Sequence, residues 1–373
     1  MTYALVFFVV AFYVEPMHDY AAYLTHWDLV LNGGDPWRKM PAANAYGPIY
    51  NLFAWLYTIH YQLPKLIFAS SWLFIAIYSV DRFLTISHVT VQEKTIYFIF
   101  WFFNPFFIIS TLFYGFNDSF VALLVFVSMI LVLFSQRTKL AVFIITLAVL
   151  TKIYPVFLLP YMEKFKKNIF KNIMLFVITL FTGYLLTYIF WGSSFANAFG
   201  KANGRDPTLF SIMKFLNGSY FPFEAFGQFM LLLSSLMVLS GVLYVFYLFK
   251  HDRIKQHTAF LAGFTMVLTF YKAGQFQFFI AYFAIFSVWA LVEFKEAKPN
   301  KSAFYSVIML GSWLSIMVGI IYPLSGGFNG EYEYIQDILG LPTFLMEVLV
   351  LFFLLLPTRE KVLTIGAEVN DVG

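Results

Sequence analysis

Cysteine is absent from this chain of 373 residues, and charged side chains make up only 12% of it. Without thiols the chain can form no disulfide bond, thiolate nucleophile or zinc–thiolate site. Soluble domains carry about 25% charged and about 45–50% apolar residues, whereas 61% of this chain is hydrophobic and 22% is aromatic. The composition therefore excludes an ordinary soluble domain and predicts an all-α, polytopic membrane protein.

Apolar runs predict about twelve membrane spans, within a range of about ten to thirteen. The first run lacks the basic flank and the cleavage site of a signal peptide, so we interpret it as a retained span or anchor. No repeat of the length typical of solenoids is visible. We expect one transmembrane domain over 1–357 and a polar cytoplasmic tail over 358–373. The predicted spans are 3–14, 64–84, 95–112, 119–135, 140–151, 153–162, 169–191, 226–249, 258–271, 277–294, 302–322 and 341–357.

The basic residues predict how these spans are oriented. If Met1 is cytoplasmic, sixteen of the 24 lysines and arginines fall in cytoplasmic loops, as the positive-inside rule expects. This orientation requires residues 141–161 to form two short helices that meet near Lys152, with Pro155 at the turn. The alternative is a single span there, which would place the basic stretch MEKFKKNIFK outside. The preferred orientation leaves three long or polar extracytoplasmic loops, at 15–63, 192–225 and 323–340.

The first of these loops contains the stretch EPMHDYAAYLTHWDLVLNGGDPW, residues 15–37. Glu15-Pro16 predicts the start of a helix and Gly33-Gly34 its end. An apolar stripe of this helix is expected to lie in the membrane interface; it comprises Met17, Tyr20, Ala21, Leu24, Trp27 and Leu31. Asp19, Tyr23 and His26 align on the other face, whereas Asp28 points elsewhere. The next stretch, AYGPIYNLFAWLYTIHYQLP, predicts a second interfacial helix.

Several motifs, in this order along the chain, resemble the GT-C superfamily of glycosyltransferases that use polyprenyl-phosphate sugars. They are Asp19-Tyr20 with the following GGDPW and AYGPIYNLFAWLY, LFYGFNDSFVALLVFVSMILVLF (112–134), LAVLTKIYPVFLLP (147–160), GRDPTLFSIMKFLNG (204–218) and TFYKAGQFQFFIAYF (269–283). Within the superfamily, the motifs are most similar to those of glycosylphosphatidylinositol mannosyltransferases and prokaryotic polyprenol-phosphate-mannose-dependent mannosyltransferases. The glycosylphosphatidylinositol enzymes carry Asp-x-Asp in the first loop; the corresponding residues here are Met17, His18 and Asp19, so the first acid is missing.

The resemblance implies a GT-C fold and an inverting transfer of a sugar, with mannose as the first candidate, to a hydroxyl of a glycan or glycolipid. It makes Asp19 the catalytic base. A basic group must stabilise the departing lipid phosphate, and the candidates for this are Lys272, Lys152 and Arg205. The candidates for sugar or acceptor contacts are His18, Tyr20, Tyr23, His26, Asn117, Asp118, Asp206 and Gln275. For Asp118, capping of the following helix is an equally good interpretation, and for Lys152 and Lys272 so is an interfacial lysine.

The expected partners are the polyprenyl-phosphate sugar, a glycan or glycolipid acceptor and membrane lipids, with no nucleic acid. No cofactor is assigned, and a role for a divalent metal is left open. We expect a prokaryotic plasma membrane rather than the endoplasmic reticulum, and an extracytoplasmic active site. Three alternatives remain: a GT-C transferase of another sugar such as glucose or aminoarabinose, a non-catalytic GT-C relative, and a polytopic transporter of lipids or sugars.

Overall fold

The computed structural model describes residues 2–38, 45–162, 169–203, 206–218, 221–321 and 333–356, and these residues are mostly helical. Two very short parallel strands, β1 (Thr208–Leu209) and β2 (Ala273–Gly274), pair with each other. The helices are α1 (Thr2–Tyr13), α2 (His18–Leu31), α3 (Pro48–Tyr57), α4 (Leu63–Leu84), α5 (Val91–Phe103), α6 (Pro105–Ile108), α7 (Asp118–Leu133), α8 (Thr138–Thr151), α9 (Ile169–Trp191), α10 (Ala196–Asn203), α11 (Ile212–Leu216), α12 (Glu224–Lys250), α13 (Gln256–Phe270), α14 (Phe278–Glu293), α15 (Lys301–Ile316) and α16 (Glu333–Leu355).

Six helical stretches within the described residues are long and apolar enough to cross a membrane, which agrees with an all-α membrane protein. They are Leu63–Leu84, Val91–Phe113, Phe170–Gly200, Glu224–Lys250, Lys301–Ile321 and Asp337–Leu355. Four shorter apolar helices, α1, α7, α8 and α14, accompany them. Every predicted span overlaps a helical segment. The count of twelve spans stays a prediction, because length and composition support six.

The core of the bundle is built around α14 and its neighbours α7 and α13. All residues of α14 are buried except Val292, which is partly buried. A helix that is apolar on every side is one that other helices surround. By contrast, α9 exposes most of its apolar surface, including Phe170, Phe181 and Phe190. The two helices are similar in composition but occupy the centre and the periphery of the bundle.

The chain reverses direction at Lys152, as predicted. Helix α8 ends at Thr151, Lys152 has an extended backbone (φ −154°, ψ 134°), and a 3₁₀ helix follows at Tyr154–Tyr161. The Ser128 hydroxyl donates to the Ala141 carbonyl at 2.8 Å and lies 3.8 Å from the Met162 sulfur. Residues 141 and 162 therefore lie side by side, so the two short segments form a hairpin with Lys152 at its tip.

The two ends of the bundle differ in character. At one end, here called the site end, helices α1, α8 and α13 finish and helices α4, α7 and α14 begin. For example, the ammonium of Lys152, which follows α8, lies 5.2 Å from the ring centroid of Phe278 at the start of α14. The opposite, basic end holds the ion pairs Lys301–Glu93 at 2.7 Å and Lys255–Glu296 at 2.9 Å. Helix α4 runs from one end to the other over 22 residues, or about 33 Å.

Candidate functional site

Helix α2 carries Asp19 in its first turn and ends where the glycines predict. Gly33 has φ +73°, and the N–H groups of Gly33 and Gly34 donate to the carbonyls of Val30 and Leu29 at 3.1 and 2.8 Å. This is the Schellman arrangement, which needs a residue that tolerates the left-handed conformation. The predicted start is displaced, because the helix begins at His18 rather than at Pro16.

The prediction that an apolar stripe of α2 faces the membrane is wrong for its two aromatic residues. Tyr20 and Trp27 are fully buried, whereas Met17 and Leu31 of the same stripe remain about 40% exposed (42% and 40%). The reason is an aromatic cluster with α3, in which the Trp27 indole donates to the Tyr50 carbonyl at 3.1 Å. Burial of large aromatic surface against protein outweighs placement in the interface. The second predicted helix forms as α3, with Pro48 at its first position.

The residues predicted to contact sugar or acceptor from α2 have internal partners. Tyr20 donates to the Tyr61 carbonyl at 2.6 Å, and Tyr23 donates to the Asn117 side chain at 3.1 Å. The ring nitrogen Nδ1 of His26 lies 3.3 Å from the Tyr50 hydroxyl. These three side chains are buried. In this conformation they pack in the interior beside Asp19, and their contact with a sugar or acceptor stays a prediction.

Asp19 itself is partly buried at the entrance to this cluster. Burial raises the pKa of the Tyr23 hydroxyl, and the negative charge of Asp19 contributes to the rise. Burial likewise raises the pKa of Tyr50, again with a contribution from Asp19. The two phenols therefore stay neutral at physiological pH. Asp19 also interacts electrostatically with Asp118, which belongs to the adjoining network.

That network is centred on a buried ion pair at the beginning of α7. The Lys152 ammonium donates to Oδ2 of Asp118 at 2.7 Å, and the Tyr154 hydroxyl donates to Oδ1 of the same carboxylate at 3.0 Å. The side chains of Lys152 and Asp118 are 6% and 0% exposed. A buried charge is tolerated when it is paired and hydrogen-bonded, and both conditions are met.

Asn117 and Asp118 lie at the beginning of α7, and their predicted contact with a sugar stays a prediction. Both are fully buried. Asp118 does not cap its helix, because Asn117 occupies the capping position without a side-chain capping bond, and both oxygens of Asp118 already accept hydrogen bonds. The Asn117 amide nitrogen is buried without a partner among the described atoms. Neither residue presents a surface to a sugar in this conformation.

Aromatic rings surround the Lys152 ammonium on several sides. It lies 5.2 Å from the ring centroids of both Tyr46 and Phe278 and 6.0 Å from that of Tyr154. Cation–π contacts of this kind favour a desolvated ammonium group. Lys152 also lines a cavity of about 200 Å³, together with Tyr154, Tyr271 and Phe278. An anionic group in this cavity would lie close to the cation.

The two motifs from the second half of the chain meet at the paired strands. Thr208 pairs with Ala273 and Leu209 pairs with Gly274, and the Thr208 N–H donates to the Lys272 carbonyl at 3.2 Å. Lys272 and Gln275 are partly buried, and Asp206 is exposed. Among the described candidate residues, Lys272, Gln275, Asp206 and Asp19 are therefore the ones with side chains accessible to solvent. Arg205 and the side chain of His18 lie outside the part of the chain that the structure describes.

The ring of Phe276 joins these strands to the first half of the chain. Its centroid lies 5.6 Å from that of Tyr114 and 5.2 Å from that of Phe116. Residue 116 directly precedes Asn117, which contacts α2 through Tyr23. The segment 114–118 thus touches α2 on one side and the turn after β2 on the other, so motifs distant in sequence converge at the site end.

The GGDPW motif attaches the first loop to the second. The Trp37 and Trp191 rings pack edge to face with their centroids 5.6 Å apart. The Trp191 indole donates to the Gly34 carbonyl at 3.0 Å, and the Asn197 amide donates to the Trp37 carbonyl at 3.1 Å. These bonds hold the turn after α2 against the end of α9.

Lys65 is a residue at this site that the sequence interpretation missed. It is fully buried on α4, where its ammonium donates to the Val14 carbonyl at 3.1 Å and lies 5.8 Å from the Tyr20 ring centroid. The Gln62 amide donates to the same carbonyl at 2.9 Å. In the sequence, the one sign of its role was that a lysine stands near the start of an apolar span. Lys65 fixes the chain immediately before the acidic loop.

The sequence leaves a role for a divalent metal open. Where side chains are described, no group of three or more His, Asp or Glu residues could hold an ion. The acid nearest to Asp19 in the network, Asp118, already balances Lys152. We therefore derive no chemical step through a metal.

Comparison of the chain with protein-family models, with curated proteins and with solved structures finds no significant match.

Proposed function

We propose that this protein is an inverting glycosyltransferase of the GT-C type, which moves a sugar from a polyprenyl phosphate to a hydroxyl group of a glycan or glycolipid. Mannose is the first candidate for the sugar. The proposal includes twelve spans, a prokaryotic plasma membrane and a site that faces away from the cytoplasm. The concentration of lysine and arginine at the basic end of the bundle supports this orientation.

One observation carries the proposal. The described segments that contain the motifs contact one another at a single end of the bundle; they lie around residues 19–38, 45–50, 114–118, 152–154, 206–211 and 271–278. An acid with accessible surface, Asp19, lies there within electrostatic range of a buried acid–base pair, and a cavity opens beside the lysine of that pair. Transfer from a lipid phosphate requires a proton acceptor and a cation in one such location.

The chemistry follows from these positions. Asp19 accepts the proton of the acceptor hydroxyl as its oxygen attacks the anomeric carbon. The bond between that carbon and the phosphate oxygen breaks, the configuration inverts, and the lipid phosphate leaves with its electron pair. Lys272, partly exposed beside the paired strands, and Arg205 stabilise this negative charge. Lys152 lines the cavity and would share its ammonium group between the phosphate and Asp118.

Replacement of Asp19 by asparagine tests the base assignment. The change keeps the shape and removes the proton acceptor, so transfer from a radiolabelled donor should fall by roughly 10²–10⁴-fold while donor binding persists. Asp28→Asn is the matched control, because Asp28 lies exposed on the same helix and points elsewhere. Near-normal turnover by the Asp19 variant, or an equal loss in both variants, would refute the assignment.

A panel of polyprenyl-phosphate donors separates the remaining alternatives. Purified protein is supplied with donors that carry mannose, glucose or aminoarabinose and with a mixture of glycolipid acceptors. Transfer from one donor identifies the sugar. Absence of transfer from every donor, combined with donor binding that Asp19→Asn leaves unchanged, would favour a non-catalytic relative.

A transporter is the second candidate, because one observation favours it. Glu347 is buried inside the bundle on α16, close to Thr269 of α13 and within electrostatic range of Tyr282 of α14. Ionisable residues inside a membrane often mark a transport pathway. Under our proposal Glu347→Gln leaves sugar transfer intact, whereas loss of substrate uptake into liposomes by this variant would support transport instead.

A further inference from the structure

A polar cavity of about 590 Å³ lies at the basic end, about 30 Å from the proposed site. Its polar lining comprises Arg82, His88, Lys295, Thr85, Ser87 and Tyr78. None of the described residues that line it is acidic. Asp81 approaches Arg82 at 3.9 Å, but both side chains are mostly exposed (68% and 60%), so water screens their interaction. The cavity is therefore suited to an anion.

Aromatic rings place the two permanent cations at its walls. The Lys295 ammonium lies 4.6 Å from the Phe134 ring centroid, and the Arg82 guanidinium carbon lies 5.5 Å from that of Tyr78. Phe134 belongs to the end of α7, whereas Tyr78 belongs to α4. Arg82 itself belongs to α4 and Lys295 follows α14, so the cations reach the cavity from different elements. The hydroxyl groups of Tyr78 and Ser87 also line the cavity and can donate hydrogen bonds to phosphate oxygens.

The surface beside the cavity indicates which anion it takes. Phe74, Ile77, Tyr78 and Arg82 lie three or four residues apart on one face of α4. Phe74 and Ile77 are 51% and 49% exposed, and the Phe74 and Tyr78 rings stack with centroids 6.1 Å apart. An apolar, exposed helix face leads directly into a basic cavity. This order matches a molecule with an acyl chain and a charged headgroup, not a free ion.

A simpler account is that these basic residues only orient the protein in its membrane. Lys139, exposed at the start of α8, fits that account, because it does not line the cavity and takes no part in the ring contacts of Arg82 and Lys295. Orientation of the protein in its membrane requires only basic residues at one end. It does not require a cavity that combines cations and hydroxyl groups with an exposed apolar helix face beside them.

We propose that this cavity binds the phosphate headgroup of an anionic phospholipid. The phosphate lies between Arg82 and Lys295, and an acyl chain runs along Phe74 and Tyr78 of α4. The inference does not depend on glycosyl transfer, since it uses residues at the opposite end of the bundle.

The test compares lipid binding to full-length protein by native mass spectrometry. Phosphatidylglycerol, phosphatidylcholine and inorganic phosphate are titrated separately against the unmodified protein, the double variant Arg82→Gln/Lys295→Gln and the control Lys94→Gln/Lys139→Gln. Both double variants lose two positive charges at the same end. At roughly five- to sixfold per cation, the first should bind phosphatidylglycerol about 30-fold more weakly, and the control should bind it normally.

Preference for phosphatidylglycerol over phosphatidylcholine, lost only in the Arg82/Lys295 variant, supports the proposal. An equal loss of phosphatidylglycerol affinity in the control variant would mean that only net charge matters, and would overturn the proposal. Competition by inorganic phosphate as effective as that by the lipid would show a soluble-anion site and overturn the lipid assignment. A circular dichroism spectrum for each variant verifies that it is folded.

Discussion

Replacing Lys152 by methionine removes the cation that faces Asp118 and keeps a side chain of similar length. The carboxylate is then left in the protein interior with the Tyr154 hydroxyl as its remaining donor in the described network. Replacing Asp118 by asparagine removes the carboxylate that accepts from the Lys152 ammonium, which lies beside the rings of Tyr46 and Phe278. In either single variant a buried charge loses the group that compensates it.

The burial of the pair sets the size of the effect. With side chains only 6% and 0% exposed, solvent screens the interaction of Lys152 and Asp118 very little. Removal of one partner of such a pair costs about 3–5 kcal/mol of the free energy of unfolding. The double variant Asp118→Asn/Lys152→Met lacks both charges. We expect its loss to be smaller than the sum of the two single losses, by about 2–3 kcal/mol of coupling.

Unfolding in mixed micelles, followed by tryptophan fluorescence as the fraction of denaturing detergent rises, measures these differences. The matched control is the exposed pair at the basic end, Lys255 and Glu296, whose side chains are 59% and 42% exposed. The double-mutant cycle for this exposed pair should give a coupling free energy of less than about 1 kcal/mol. Strict additivity at Asp118 and Lys152 would refute the reasoning, because it would mean that neither charge depends on the other.

Three further predictions concern the same end of the bundle. Lys272→Gln should raise the apparent dissociation constant of the lipid donor about tenfold, as expected for a lost charged contact, in a binding assay; unchanged affinity would remove Lys272 from the site. Gly47→Ala should prevent stable folding, seen as aggregation in size-exclusion chromatography, because a Cβ there would lie 2.1 Å from the Leu150 carbonyl oxygen. Lys65→Met should lower the turnover number more than donor affinity, because loss of the Val14 anchor displaces the acidic loop; a normal turnover number would contradict this role.

Much of the secondary structure follows from the sequence. Every predicted span overlaps a helical segment, because a long apolar run buried in lipid or protein must satisfy its own backbone hydrogen bonds. The reversal at Lys152 was also predicted, from the charge bias and from Pro155. Gly33 and Pro48 mark the end of α2 and the start of α3 because their backbone preferences act locally.

What the sequence by itself determined is where helices form, where the chain turns and on which end the basic residues gather, since each depends on neighbouring residues. Only the tertiary structure decided that Tyr20 and Trp27 face protein, that Asp118 is bound by Lys152 34 residues later, and that Lys65 anchors the first loop. These outcomes depend on which helix packs beside which, and no local pattern of apolar and polar residues specifies a partner far away in the chain.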